Sequence, residues 1–316
     1  MLRRWVKNVL KGGADVYALE SQVQELRERV DLAASARASS ARQEAIRLTL
    51  PTPIEVPQEP PGAFFIHVKV DHAGVFRPNQ EAFIYREVER VFGRHESRIR
   101  DYVVSVKKAA EAAGYARITE HETNARDPFL NNPMFQGADA RALYGMICHL
   151  KPQRIVEVGS GHSSRFICRA VRDAGLTTDV MCIDPVPRSD LASIGARVML
   201  QSVQNADRDV FRTLEAGDIL FWDGAHIAFN GTDVTMLFLE VLPILARGVH
   251  VHIHDIMLPD EYNPTYSAHY YNEQYMLATL LLNSAEWHTT LPLHYVGSRI
   301  APEWAGCSFW MTKERL

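Results

Sequence analysis

The segment R-I-V-E-V-G-S-G-H-S-S, residues 154–164, constrains the fold more than any other stretch of the chain. Its isoleucine and valines predict a short strand buried on both faces, as in a parallel sheet covered by helices. Gly159 and Gly161 then permit a sharp turn and a close approach of the backbone to a ligand. A helix is predicted over 164–174, and its first amides would face that ligand. The segment therefore predicts a strand–turn–helix unit with a binding site at the turn.

Length and composition limit the classes to which the chain can belong. Its 316 residues, 47% of them apolar, are enough to bury one full core with an N-terminal addition. The net charge of −4 includes no broad basic excess, which argues against general nucleic-acid binding. Four scattered cysteines indicate reduced core residues of a cytoplasmic protein, because they lack the paired spacing of a disulfide framework or a zinc knuckle. No apolar run reaches the roughly 18–20 residues that span a bilayer, so a cytoplasmic location is expected.

Three segments are predicted before the main domain. Residues 1–50 are predicted to be a helical segment, because apolar side chains recur in it at alternating steps of three and four up to Ala33. This pattern fits a coiled coil that forms a homodimer, an amphipathic helix on its own domain, or a basic helix in weak contact with a membrane surface. Residues 51–62 read as a proline-rich linker. Residues 63–138 are expected to form a cap or substrate-side subdomain, with one or two helices over 80–113 and a lid loop over 124–137.

The main domain, 139–316, alternates predicted strands with predicted helices. Asp139 is expected to be the N-cap of a helix over 140–150. Strands are predicted over 154–158, 179–183, 196–200, 218–222, 248–254, 287–295 and 306–312. Helices are predicted between them, including 188–194 and 206–214. This order is typical of a doubly wound, mainly parallel, Rossmann-like α/β sheet of seven strands, in which the last two strands form an antiparallel hairpin.

Polar residues end five of the predicted strands, and ligands of open α/β sheets bind at these carboxyl ends. They are Glu157, Asp184, Gln201, Asp223 and Asp255. A carboxylate that ends the second strand holds ribose hydroxyls in doubly wound folds, which favours Asp184 as a nucleoside ligand. Glu157 has two interpretations, since it can contact a ligand or orient the glycine turn.

The E-x-G-x-G pattern of residues 157–161, followed by a strand that ends in Asp184, resembles class I S-adenosylmethionine (SAM)-dependent methyltransferases. The resemblance extends over residues 140–316. A nicotinamide dinucleotide site would want a third glycine where Ser164 stands, which disfavours an NAD-linked oxidoreductase. A SAM-binding scaffold without catalysis is a further alternative. The cofactor-binding residues that the resemblance implies are Glu157, Gly159, Ser160, Gly161, Ser163, Asp184 and Gln201.

The stretches D-G-A-H and H-I-H-D end the fourth and fifth strands. Two carboxylates at neighbouring strand ends can hold one hard divalent cation, and a nearby histidine can accept a proton at neutral pH. The D-G-x-H stretch is similar to the metal-dependent O-methyltransferases that modify macrolide sugars. That resemblance implies Asp223 and Asp255 as catalytic ligands of Mg²⁺ and His226 as the general base. Those enzymes usually follow the fifth-strand Asp with a further acid or Asn, whereas Ile256 stands here, so the metal is left open.

Three histidines alternate along the fifth predicted strand and so project to one face: His250, His252 and His254. Three imidazoles can ligate zinc or iron. Residues two apart on a strand are about 6–7 Å apart, however, so this trio would have to converge on one ion from a straight line. The other interpretation is that they are core histidines, of which His254, nearest the strand end, faces the pocket.

The tyrosine-rich segment 260–274 combines aromatic faces with amide and carboxylate groups, which suits a sugar or another polyhydroxylated acceptor. Its alternative role is a surface loop whose tyrosines pack on the sheet. The expected substrate-binding residues are His254, Tyr262, Tyr266, Asn131 and Phe135. Together these patterns predict a SAM-dependent O-methyltransferase that acts on a hydroxyl of a small-molecule or glycan acceptor.

Overall fold

The structure, a computed structural model, describes residues 83–188 and 190–314. The predictions for segments 1–50 and 51–62, including the coiled coil, the homodimer and the membrane-surface helix, lie outside the described residues. The same holds for the first part of the predicted cap, 63–82. The described residues contain the whole predicted sheet and the lid loop.

Seven strands form one mixed sheet with the order β3-β2-β1-β4-β5-β7-β6. They are β1 (Arg154–Val158), β2 (Asp179–Ile183), β3 (Arg197–Met199), β4 (Ile219–Trp222), β5 (His250–Ile253), β6 (Trp287–Pro292) and β7 (Phe309–Lys313). Strands β1 to β5 pair in parallel, and β7 runs antiparallel to both β5 and β6. The predicted doubly wound, mainly parallel sheet with its antiparallel closing pair is therefore confirmed. Because β1 lies between β2 and β4, the strand order reverses at β1, where such sheets bind ligands.

Helices precede the sheet and connect its strands. They are α1 (Arg86–Arg94), α2 (Glu96–Ala113), α3 (Gly137–Leu150), α4 (His162–Asp173), α5 (Asp209–Arg212), α6 (Asp233–Met236), α7 (Leu242–Ile244), α8 (Pro264–Ala268), α9 (Glu273–Asn283) and α10 (Leu293–Arg299). A π-helical segment, Leu237–Val241, joins α6 to α7. Over residues 83–188 and 190–314, no helix is both long and apolar enough to cross a membrane.

Two predicted helices are shorter than the sequence pattern suggests. The prediction over 188–194 corresponds to a single 3₁₀ turn, Ala192–Ile194, which ends at Gly195 with a φ of +92°. The prediction over 206–214 corresponds only to the single turn of α5. In both places a short connection between parallel strands suffices, so the chain makes one turn and returns to the sheet.

The core fixes the positions of the strand ends. Strands β4 and β5 are buried along their whole lengths. Trp222 at the end of β4 and Trp310 in β7 are both fully buried. Each fully buried large apolar side chain stabilises a fold by about 1.5–3 kcal/mol, so these strands hold their carboxyl ends firmly. Helix α2 packs against α3 and β6, and α3 packs against α4.

Asp139 does not cap α3, contrary to the sequence prediction. The helix begins at Gly137, and its N-cap residue Gln136 makes no side-chain capping bond. Asp139 lies inside the first turn, and its Oδ1 accepts the backbone N–H groups of Cys307 (3.0 Å) and Ser308 (2.7 Å). Its carboxylate therefore ties the start of α3 to the chain that enters β7.

Candidate functional site

A cavity of about 790 Å³ lies at the carboxyl ends of β1, β2, β4 and β5. The predicted site residues on its wall are Gly159, Ser160, Gly161, Ser163, Asp184, Asp223, His226, His254, Asp255, Phe135 and Tyr266. Four predicted site residues lie elsewhere: Glu157, Gln201, Tyr262 and Asn131. The fold thus gathers residues from the glycine turn, four strand ends, the lid and the tyrosine-rich segment around one space.

The glycine turn after β1 packs directly on the turn after β4. Gly159 has a φ of +79°, and a Cβ added there would lie 1.8 Å from the carbonyl oxygen of Asp223. Both the backbone angle and the contact therefore require glycine at this position. At Gly161 an added Cβ would meet only the side chain of Arg188, at 3.8 Å. The second glycine leaves bare backbone on the cavity wall.

Glu157 lies beneath the turn and is fully buried. Its two carboxylate oxygens accept the hydroxyls of Ser163 (2.7 Å) and Ser164 (2.6 Å), which open helix α4. Ser164, at the place of a third dinucleotide glycine, also accepts the N–H of Gly161 (3.0 Å). Burial raises the pKa of Glu157 to about 7, against the effect of these hydrogen bonds. This geometry corresponds to the interpretation in which Glu157 orients the turn.

Asp184 reaches the cavity from the end of β2. Its Oδ2 accepts the N–H (2.6 Å) and the hydroxyl (3.1 Å) of Ser160, and its Oδ1 accepts the N–H of Val186 (2.7 Å). Both oxygens are thereby held in place, and the carboxylate is only partly covered. A fixed, partly accessible carboxylate is suited to accept hydrogen bonds from the hydroxyls of a ribose.

After β3, the predicted Gln201 does not line the cavity, whereas its neighbour Ser202 does. Gln201 donates its backbone N–H to the carbonyl of Met199 (2.9 Å) and is not on the wall. Ser202 and the 3₁₀ turn Val203–Asn205 line the cavity instead. The polar run S-V-Q-N was the available sequence signal for this turn.

His226 stands among three carboxylates. Its Nε2 lies 3.2 Å from Asp223 Oδ1 and 3.4 Å from Asp255 Oδ2, and its Nδ1 lies 3.0 Å from Glu273 Oε2. Burial lowers the pKa of His226, but Asp223 and Glu273 raise it more, to well above its ordinary value. Burial also raises the pKa of Asp223, yet His254 and His226 lower it to about 2. The cluster thus surrounds the imidazole with carboxylates, of which Asp223 and Glu273 favour its charged form.

The D-G-A-H stretch owes its geometry to a tight turn. His226 and Asp255 have positive φ angles, +60° and +56°. Such angles are uncommon for residues other than glycine and cost of order 1–3 kcal/mol each. A Cβ on Gly224 would lie 1.8 Å from Asp233 Oδ2, the oxygen that accepts the N–H of Ala225 (2.9 Å). The turn is therefore held by Asp233 from the start of α6, and it aims the imidazole back into the cavity.

Of the three alternating histidines, two are core residues. His250 Nδ1 pairs with Thr312 Oγ1 at 2.8 Å, and His252 Nε2 pairs with Ser308 Oγ at 2.9 Å. The ring of His252 also stacks on Phe221, with centroids 3.9 Å apart. Burial lowers the pKa of His250 to about 4, so it is neutral. These two histidines join β5 to β7 rather than sharing an ion with the third.

His254 faces the cavity, as the sequence analysis expected of the residue nearest the strand end. Its Nδ1 lies 3.4 Å from Asp255 Oδ1, and its Nε2 lies 3.6 Å from Cys307 Sγ. Its ring packs on the lid residue Phe135, with centroids 5.1 Å apart. Burial lowers the pKa of His254, but Asp223 and Asp255 raise it to a net value above the ordinary one.

The tyrosine-rich segment contributes two rings to the wall. The Tyr266 hydroxyl donates to Asp255 Oδ1 (3.0 Å), and the Tyr271 ring lies 4.5 Å from the His226 ring. Tyr262 is buried and packs on Tyr266, with ring centroids 5.7 Å apart, so it supports the wall from behind. One part of this segment thus faces the cavity and another packs inward, which combines the two interpretations of the sequence.

In the lid, the second of the two adjacent asparagines has the structural role. Asn131 is exposed, away from the wall, whereas Asn132 is fully buried. Asn132 donates to the carbonyls of Phe129 (3.0 Å) and Phe135 (2.5 Å), and its Oδ1 accepts the N–H groups of Met134 (3.1 Å) and Phe135 (2.6 Å). These bonds shape the loop that presents Phe135 to the cavity.

The contact between the Glu273 carboxylate and the His226 imidazole was not predicted from the sequence. Glu273 was noted only as one polar group of the acceptor segment. In the fold it is fully buried at the start of α9, 47 residues from the histidine to which it is bonded. The signal was a glutamate that opens an apolar helix pattern, which also fits an ordinary first-turn residue.

One family model and several known proteins are similar to part of the chain. Residues 156–256 match the family model described as a methyltransferase domain. An uncharacterised protein of Archaeoglobus fulgidus is 36% identical over 94 residues, which make up 28% of this chain and 42% of that relative, so the chain spans less than half the relative's length.

Two solved structures show more distant similarity. A protein of Corynebacterium glutamicum is 15% identical with a TM-score of 0.36, over 67% of this chain and 91% of its own. The plantazolicin methyltransferase BpumL, in complex with a pentazolic desmethylPZN analog and SAH, is 13% identical with a TM-score of 0.38, over 69% and 99%. Similarity at this level does not indicate a function for the chain. The family match lies within a sheet of the predicted strand order, and the chain is therefore similar to methyltransferase domains over residues 156–256.

Proposed function

We propose that the protein is a SAM-dependent O-methyltransferase that methylates a hydroxyl of a small or glycosidic acceptor, with His226 as general base. One observation carries the proposal. The cavity that contains the glycine turn and Asp184 also contains Asp223, His226 and Asp255. A nucleoside site and a proton-accepting cluster therefore share one space, which is the arrangement that a group transfer needs.

The nucleoside part of SAM is assigned to the β1–β2 side of the cavity. Its ribose would bind Asp184, whose oxygens are held by Ser160 and Val186. Its methionine part would lie along the bare backbone of the turn, residues 159–163. The adenine would lie at the turn after β3, where Ser202 replaces Gln201 as the first wall residue.

The catalytic chemistry is assigned to the β4–β5 side. SAM supplies a methyl group that is bound to a positively charged sulfur. The acceptor oxygen forms a bond to the methyl carbon as the carbon–sulfur bond breaks, and the hydroxyl proton moves to His226 Nε2. For this role Nδ1 must carry a proton, and Glu273 Oε2, 3.0 Å away, fixes that tautomer by accepting it.

A divalent cation fits the same cluster. Ligand atoms of Asp223, His226 and Asp255 all lie within 4.8 Å of one another. Mg²⁺ prefers carboxylate oxygens and needs only one or two of them, so Asp223 and Asp255 are the proposed ligands. A bound cation would neutralise the carboxylates that now favour the imidazolium, and it would lower the pKa of an acceptor hydroxyl. The residue after Asp255 is the buried Ile256 rather than an acid, so Asp223 and Asp255 are the two protein carboxylates of the proposed site.

The acceptor is assigned to the side of the cavity formed by the lid and the tyrosines. Phe135, Tyr266 and Tyr271 present aromatic faces there, and the Tyr266 hydroxyl is bonded to Asp255. Aromatic faces beside carboxylates suit a ring that carries hydroxyls, such as a catechol or a sugar. His254, which packs on Phe135 and lines the cavity, is the proposed ring contact to the acceptor on this side.

Calorimetry and a transfer assay with four proteins test the proposal. SAM and S-adenosylhomocysteine should bind the wild type, and Asp184→Ala should weaken that binding at least about tenfold. Asp179→Ala, at the other end of β2 and paired with Arg197 on the surface, is the matched control and should bind normally. His226→Asn, which tolerates a positive φ, should keep the affinity but lower methyl transfer by about 10²–10⁴-fold.

The transfer assay uses SAM with a labelled methyl group and a panel of catechols, hexoses and macrolide glycosides, with and without Mg²⁺. Absence of binding heat with either nucleoside would refute the SAM assignment. Unchanged transfer by the His226→Asn protein would refute the base. Loss of both affinity and transfer in that variant would show that His226 is structural.

A further inference from the structure

We propose that the chain binds a second cation, of the zinc class, at a site formed by Asp139, His254 and Cys307. The three ligand atoms lie within 4.8 Å of one another. Cys307 Sγ is 3.6 Å from His254 Nε2 and 3.7 Å from Asp139 Oδ2. Of its three residues only His254 lines the cavity, and Cys307 Sγ lies 3.2 Å from Asp255 of the Asp223–His226–Asp255 cluster. The proposal does not depend on methyl transfer.

The separations match those of ligands around zinc. Zinc binds cysteine sulfur at about 2.3 Å and histidine nitrogen or carboxylate oxygen at about 2.0–2.2 Å, with tetrahedral angles, so sulfur and its neighbouring ligands should be about 3.5–3.7 Å apart. The two distances from Cys307 Sγ have these values. The third pair, His254 Nε2 and Asp139 Oδ2, falls within the 4.8 Å that encloses all three ligand atoms, so small side-chain adjustments would bring the three to a common ion.

The sulfur has more acceptors around it than its single proton can serve. Asp255 Oδ1 lies 3.2 Å from Cys307 Sγ, and Asp139 Oδ2 lies 3.7 Å from it. The thiol can donate to one acceptor only. Two carboxylates and an imidazole around a partly buried sulfur are better stabilised by a cation, which displaces the thiol proton to solvent.

Two of the three proposed ligands are oriented by a neighbour. Asp139 Oδ1 accepts the N–H groups of Cys307 and Ser308, which leaves Oδ2 directed at the sulfur. His254 Nδ1 lies 3.4 Å from Asp255 Oδ1 while Nε2 faces the sulfur. A carboxylate behind the second ring nitrogen is the usual support of a metal-bound histidine. Three protein ligands leave the fourth position of a tetrahedral ion open for water.

The chemistry of the donor set selects the ion. A thiolate favours zinc and excludes Mg²⁺, whose ligands are oxygens, so this site and the Asp223–Asp255 pair would take different metals. Bound there, the ion would join the first turn of α3, the end of β5 and the chain before β7. It would fix the wall residue His254 and, through Asp255 Oδ1, the neighbouring cluster.

Cobalt substitution tests the site, because a thiolate bound to Co²⁺ gives a charge-transfer band that oxygen and nitrogen ligands do not give. The full-length protein, stripped with a chelator, is titrated with Co²⁺ and then with Zn²⁺. We expect a thiolate band that saturates with one equivalent of Co²⁺ bound at this site and that Zn²⁺ removes. Asp223→Asn should keep the band, Cys307→Ser should lose it, and Asp139→Asn should weaken Co²⁺ binding at least about tenfold.

The matched control is Cys148→Ala, which removes a buried thiol elsewhere and should leave the band unchanged. Absence of the band from the wild type overturns the proposal, as does its persistence in Cys307→Ser. Circular dichroism checks that each variant folds. Should Cys307→Ser not fold, the wild-type, Cys148→Ala and Asp139→Asn titrations decide: a band weakened only by Asp139→Asn supports the site, and equal titrations of all three overturn it.

Discussion

Gly159→Ala measures how much the site depends on the contact between the turns after β1 and β4. The added Cβ would lie 1.8 Å from the Asp223 carbonyl oxygen, whereas carbon and oxygen normally approach to about 3.4 Å, so the two turns must separate by about 1.5 Å. The positive φ costs about 1–2 kcal/mol for alanine, and the forced displacement about 1–3 kcal/mol more. The melting temperature should fall by about 4–20 °C, at about 2–4 °C per kcal/mol for a domain of this size. Affinity for S-adenosylhomocysteine should fall as well, because Gly159 is on the cavity wall.

Thermal unfolding and calorimetry give both readings, and Gly175→Ala is the matched control. Gly175 has a φ of +64°, and an added Cβ there would have no atom within 4 Å. The control therefore carries the backbone cost without the contact, and it should melt between the wild type and Gly159→Ala. The difference between the two variants should be about 1–3 kcal/mol. Equal melting temperatures for the two variants would refute the argument that the close approach requires glycine.

Three further substitutions test other parts of the site. Burial raises the pKa of Glu157 from 4.5 to about 7, so its contribution to stability is present at low pH and lost as pH rises through 7. In urea unfolding, the free energy of unfolding of the wild type should therefore fall by up to about 3 kcal/mol between pH 4.5 and pH 8, and that of Glu157→Gln should not. A wild-type free energy of unfolding that is flat with pH would contradict this. Glu273→Gln should lower kcat by about 10²–10⁴-fold with unchanged SAM affinity, since it removes the charge that fixes His226, and an unchanged kcat would exclude that positioning role. Asn132→Ala should destabilise the fold by about 2–4 kcal/mol through its lost lid hydrogen bonds, measured by thermal unfolding, whereas a loss below 1 kcal/mol would show that the lid holds Phe135 without them.

The sheet could be predicted closely because its signals are local. Residues 154–158 and 179–183 were predicted strands with the bounds that the structure shows. An apolar run that ends in a polar residue and a glycine marks a strand end wherever it folds, and the alternation with helices fixes the parallel winding. Helix beginnings were less well predicted. Asp139 is of a residue type preferred at N-caps, but it lies in the first turn of α3, where its carboxylate binds the chain before β7.

The site was predicted as a set of strand ends rather than as a set of contacts. Asp184, Asp223 and Asp255 follow β2, β4 and β5, and each lines the cavity as its position predicts. Ser202 lines the cavity where Gln201 was predicted to, whereas neither Asn131, which is exposed, nor Asn132, which is buried, lies on the wall. A tight turn directs successive side chains to different sides. No local pattern separates such neighbours.

What the amino-acid sequence determined by itself is the succession of strands, turns and helices, and with it the strand ends at which polar side chains would meet. Only the tertiary structure decided that Glu273 supports His226 from 47 residues away, and that Asp139 holds Cys307 from 168 residues away. These pairings depend on how α9 and β7 return to the sheet. Hydrophobic periodicity specifies which face of an element is buried, but the packing of whole elements determines which distant polar groups share that buried space.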